Sequence, residues 1–112
     1  MTFSGRKGDN EDVRKAIEAF EKASKIAEEF LQPDNHVRLK IAEYFSEIYG
    51  DILNLPDKAV TIAKEAYENA AYTINDDSEI SEKYELFEFR RNIARWSSEK
   101  NIKHFFLFYT SF

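Results

Sequence analysis

The chain has 112 residues, of which 43% are hydrophobic and 33% charged, with only 3 Gly and 2 Pro; this suits one folded core and excludes disordered, collagen-like and low-complexity classes. Cysteine is absent, which removes disulfides, thiolate metal sites and cysteine nucleophiles. A net charge of −5 is the wrong sign for general nucleic-acid binding. No apolar run reaches the ~18 residues of a membrane span, and the N-terminus carries no signal-peptide stretch. The expectation is a soluble, cytoplasmic protein with neither nucleic-acid nor membrane partners.

Residues 1–9 are polar and aperiodic and read as a flexible lead-in to a helical region spanning 10–103. Asn10, followed by Glu11 and Asp12, is placed to cap a first helix. Its apolar stripe runs Val13, Ala16, Ile17, Phe20, Ala23, Ala27, Phe30 and Leu31, and Glu/Lys pairs at i,i+4 occupy the other side. Pro33 ends it, and Asp34 is placed to cap a second helix with the stripe Val37, Ile41, Phe45, Ile48 and Ile52. Gly50 interrupts this pattern at about 1 kcal/mol relative to Ala, which a close backbone contact would explain.

Pro56 suits the first position of a third helix, whose stripe is small: Ala59, Ala63, Ala66 and Ala70. Small residues permit close helix packing. Asn75 to Ser78 form a turn cluster, and Ile80, Tyr84, Phe87, Arg91 and Ala94 begin a fourth helix that passes Trp96. The reading is all-α, with four antiparallel helices joined by short loops. Residues 104–112 form an aromatic tail, where Phe105, Phe106, Phe108 and Tyr109 need an apolar partner within the chain or across an oligomer.

No chemistry-bearing motif emerges. His36 and His104 are isolated, without the spacing of a metal site, and no glycine-rich phosphate loop or nucleophile elbow is present. The chain therefore reads as non-enzymatic, with no catalytic residue, metal or cofactor. Two acidic stripes stand out. Glu43, Glu47 and Asp51 recur every four residues on the second helix, while Glu85, Glu88, Asn92 and Arg95 share a face of the fourth. They are either solvated helix faces or two sides of one binding surface.

The segments Gln32-Pro33, Val37-Arg38-Leu39, Phe45-Ser46, Ile52-Leu53-Asn54, Pro56-Asp57-Lys58-Ala59, Ala63-Lys64, and Arg90 with Asn92 and Trp96-Ser97-Ser98 resemble the C-terminal part of a 14-3-3 protein. The resemblance runs from about Asn10 to Ser98. It implies an antiparallel helical domain, a dimer made through N-terminal helices, and a groove that binds phosphoserine or phosphothreonine motifs of client proteins. This chain corresponds to the last four helices, so the dimer-forming helices and the Lys-Arg-Arg-Tyr phosphate cluster fall outside it. Arginine forks are what make phosphate recognition strong.

By the same resemblance, Asn92 matches an Asn that binds client backbone, Trp96 a groove-edge Trp, and Asp51 an acid beside the phosphate cluster. Tyr44 stands in place of a second backbone-binding Asn, whose paired amide donor and acceptor a phenol lacks. Glu43, Glu47, Tyr84, Glu85, Glu88 and Arg95 stand in place of aliphatic wall residues. The expectation is a protein-interaction module whose acidic groove disfavours phosphate and suits a basic or neutral segment. Client peptides, a homo-oligomeric copy or association with N-terminal helices are the implied partners, and a structural helical oligomer is a further alternative.

Overall fold

The structure, a computed structural model, describes residues 7–73 and 80–110, with side chains over 10–73 and 83–98. It contains four α-helices: α1 (Lys7–Phe30), α2 (His36–Glu47), α3 (Pro56–Ala71) and α4 (Ile80–Thr110), with a π-helical turn at Ile48–Ile52 prolonging α2. No strand occurs among the described residues, and the fold is all-α. The turn cluster at Asn75–Ser78 and the packing of the aromatic tail lie outside the described residues. The backbone of α4 runs without a break through the start of that tail to Thr110.

Helix ends differ from the sequence reading in two places. Asn10 is not a cap but lies inside α1, because a helix once nucleated on a long apolar stripe gains a hydrogen bond with each residue added behind it. The cap of α2 is Asn35 rather than Asp34. Its Oδ1 accepts from the backbone N–H groups of Val37 at 2.8 Å and Arg38 at 3.2 Å, satisfying two donors that the helix itself leaves open. Arg38 also donates from Nη1 to the Leu31 carbonyl at 2.9 Å, so one guanidinium ties the exit of α1 to the entry of α2.

The π-helical turn closes with Leu53 N–H donating to the Ile48 carbonyl at 2.9 Å. Asn54 follows at φ 57, a left-handed conformation that Asn tolerates better than most residues. The chain then re-enters helix at Pro56, which occupies the first turn of α3 as the sequence predicts.

Helix α3 packs against both α2 and α4, and its small residues make this possible: Ala59, Ala63 and Ala70 are fully buried. Around them gather Leu39, Tyr49, Phe89 and Trp96. Phe20 of α1 stacks on Phe45 of α2 with ring centroids 6.1 Å apart, and Phe45 meets Tyr49 at 5.4 Å.

The buried faces of α2 and α4 are not the ones periodicity marks. Val37 and Ile52, at the ends of the α2 stripe, are exposed, while Leu39, Glu43 and Ser46 are buried, because α2 is covered by α1, α3 and α4 on different sides. On α4 the expected stripe faces water at its described positions. Tyr84 and Phe87 are exposed, and so are Arg91 and Ala94, whereas Glu85, Phe89, Asn92 and Trp96 are buried. Phe30 of α1 is likewise exposed rather than packed. A polar residue can sit inward when a partner satisfies it: Glu85 meets Lys40 of α2, and Asn92 meets Arg95 one turn on in α4.

Candidate functional site

Helices α2 and α4 place the two acidic stripes against one another. Lys40 lies at the centre, with Nζ 2.7 Å from Glu85 on α4 and 3.2 Å from Glu43 on its own helix. Glu43 and Glu85 are both buried, and Ser46, fully buried one turn on, donates from Oγ to the Glu43 carbonyl at 2.8 Å. Burial, then the neighbouring Glu85, push the Glu43 carboxyl up to about 7 against the opposing pull of Lys40. Glu85, more than any other group, holds the Lys40 ammonium above its ordinary range. Glu85 Oε2 is buried without a hydrogen-bond partner among the described residues.

A second knot closes the other end of this wall. Arg95 grips Asp51 with two donors, at 2.7 and 3.2 Å, and reaches Asn92 Oδ1 at 3.3 Å. The Trp96 indole N–H donates to the same Asp51 Oδ1 at 3.0 Å, and the Arg95 guanidinium lies 5.0 Å from the Trp96 ring centroid. The Arg95 contact first, and the Trp96 contact second, hold Asp51 below the usual carboxylate range. Glu47 lies between the two knots, half-buried, and is shifted upward by burial and then by Asp51.

Trp96 has no exposed surface, and its indole packs closely against Gly50. A Cβ at position 50 would fall 2.7 Å from Trp96 Cζ2 and closer still to Cε2 and Nε1. The close contact expected at Gly50 is therefore this ring. Trp96, read from the sequence as a groove-edge residue, is thus buried, with its indole N–H turned to Asp51.

The remaining predicted positions lie on the same α2–α4 side with different roles. Asn92 is buried and engaged by Arg95, and Glu88 pairs with the exposed Arg91 at 2.6 Å. Tyr44 and Tyr84 are exposed, and Lys40 Nζ lies 5.8 Å from the Tyr44 ring centroid. Tyr44, Tyr84, Asp51 and Arg95 are thus exposed and Glu47 half-buried, whereas Glu43, Glu85, Asn92 and Trp96 are buried. Sequence reasoning missed Lys40, although its place three residues before Glu43 is a helical ion-pair spacing. A separate cavity of about 200 Å3 lies between α1, α2 and α3, lined by Ala27, Leu39, Ile41, Phe45, Ile62 and Ala66 among others, and holds none of these wall residues.

No group of three or more His, Cys, Asp or Glu among the described residues is arranged to hold a metal. None of the described helices is long and apolar enough to cross a membrane. Compared with known proteins, the chain matches the 14-3-3 protein family over residues 2–97. It belongs to the 14-3-3 family.

Similar 14-3-3 proteins include 14-3-3-like protein 2 of Caenorhabditis elegans, 34% identical over 93 residues, which covers 80% of this chain and 38% of the relative. The 14-3-3 protein beta/alpha-B of Xenopus laevis is 35% identical over 92 residues, with 80% and 38% covered. Human 14-3-3 protein beta/alpha is 34% identical over 97 residues, with 82% and 39% covered. The chain therefore spans less than two fifths of the length of these curated 14-3-3 relatives.

Proposed function

We propose that this chain acts in the cytoplasm as a non-enzymatic protein-interaction module, part of an adaptor of the phosphopeptide-binding 14-3-3 family or a divergent relative of one, and that its α2–α4 wall engages client segments without gripping phosphate. One observation carries this reading. The cations described on the wall are each bound to carboxylates: Lys40 to Glu43 and Glu85, Arg91 to Glu88, and Arg95 to Asp51. A phosphate gains its affinity from charge-assisted, often bidentate contacts with arginine, and here a carboxylate already occupies the fork of Arg95.

The same wall favours a basic, unphosphorylated segment. Its carboxylates outnumber its cations, and Glu47 and Asp51 meet solvent beside the exposed Tyr44. Complementary charge steers encounter and fixes register, and an exposed aromatic ring beside carboxylates suits a client arginine.

Titrating the 15N-labelled chain with an Arg-rich unphosphorylated peptide tests the location. Amide shifts are expected at Tyr44, Glu47, Asp51 and Glu88. Shifts confined to the α1–α3 side, or none at millimolar peptide, would overturn the assignment.

A further inference from the structure

We propose that Glu43 takes up a proton at the α2–α4 seam, so that Glu43, Lys40 and Glu85 form a clasp that closes when Glu43 is protonated and loosens when the proton leaves. The inference concerns the fold itself and does not rest on any client being bound.

Three features of the geometry carry it. Two carboxyl groups from different helices are buried, and a single ammonium, that of Lys40, serves both, 3.2 Å from Glu43 and 2.7 Å from Glu85. With both acids ionised, the seam encloses an uncompensated negative charge, which burial makes costly. Glu85 Oε2, moreover, is buried and lacks a donor among the described residues, although buried polar atoms are rarely left unsatisfied. A proton on Glu43 removes the excess charge and adds a donor to a seam whose acceptors are otherwise in excess. Lys40 then keeps Glu85, its nearer partner at 2.7 Å, as its counter-ion.

The other groups facing this pair leave the direction of the effect unchanged. On α2 the next charged group is Glu47, whose own acidity is weakened by burial and by Asp51. Beyond it, Asp51 and Arg95 neutralise each other at the far end of the seam. From α3 the buried residues are Ala59, Ala63 and Ala70, which carry no charge. Helix α1 packs on α2 through the Phe20–Phe45 stack instead. A carboxyl with a folded-state pKa above its unfolded value stabilises the fold fully below the unfolded value, and that stability is lost as pH rises through the folded one. For Glu43 the window opens near the ordinary glutamate range and closes at about 7.

The test is urea unfolding of the full 112-residue chain between pH 5 and 8, for wild type and Glu43→Gln, with 13C NMR titration of the Glu43 carboxyl in the wild type. The glutamine amide is uncharged at every pH, as the protonated acid is. Wild type is expected to lose stability as pH rises, so that the folding constant of E43Q relative to wild type grows by on the order of tenfold or more from pH 5 to 8. The Glu43 carboxyl is expected to titrate near neutrality. A midpoint in the ordinary carboxylate range overturns the proposal, as does an E43Q profile as steep as that of wild type. The NMR titration decides the question alone if E43Q does not fold.

Discussion

Replacing Gly50 by alanine sets two known effects against each other, and the structure says which prevails. Alanine in place of glycine in a helical segment is favourable by about 1 kcal/mol. The added Cβ, however, would fall 2.7 Å from Trp96 Cζ2 and nearer to two other indole atoms. A flat, fully buried ring cannot rotate out of the way as the end of a lysine would, so Trp96 or the π-helical turn must shift. Overpacking of this kind costs about 1–3 kcal/mol, and the high end applies because the indole is also fixed by its hydrogen bond to Asp51 at 3.0 Å. The net expectation for Gly50→Ala is a destabilisation of about 1–2 kcal/mol. Trp96 is the only tryptophan in the chain, so urea unfolding followed by its fluorescence reports both the loss and the ring's new environment. A G50A variant as stable as wild type or more so, with unchanged emission, would refute the packing of Trp96 on Gly50.

Asn35→Ala should lose about 1 kcal/mol by removing the α2 cap, while Asp34→Ala should stay within about 0.5 kcal/mol; thermal unfolding of the two variants distinguishes the caps. Lys40→Met should destabilise by about 1–3 kcal/mol at pH 8, less than a fully buried partner because the side chain is 36% exposed and part of its effect is screened. The loss should be smaller at pH 5, where protonated Glu43 leaves one carboxylate to neutralise rather than two. Equal losses at the two pH values would contradict the role given to Lys40.

The sequence carried the helices that announce themselves through composition. Of the Ala59, Ala63, Ala66, Ala70 series on α3, three are buried as the spacing requires and Ala66 is half-buried, and Pro56 opens that helix because a missing N–H matters little in a first turn. The face of α4 was not legible. Its buried side mixes Glu85 and Asn92 with Phe89 and Trp96; Arg95 reaches Asn92 from one turn away, but Lys40, 45 positions from Glu85, becomes visible only when the helices are packed. Tyr84 and Phe87 misled the pattern for the converse reason, since a large apolar residue can remain at the surface. The acidic stripes themselves could be read, and so could their convergence once the family resemblance was recognised. That their inner members are buried and paired, leaving a thin exposed edge, follows from tertiary contacts alone.

The central claim, that the α2–α4 wall does not read phosphate, is tested most directly by fluorescence anisotropy with one Arg-rich peptide in two forms, phosphoserine and its unphosphorylated twin, at low and high salt. The account predicts that the unphosphorylated twin binds at least as tightly, with its advantage greatest at low salt where the carboxylates are least screened. Selective binding of the phosphorylated form would contradict it.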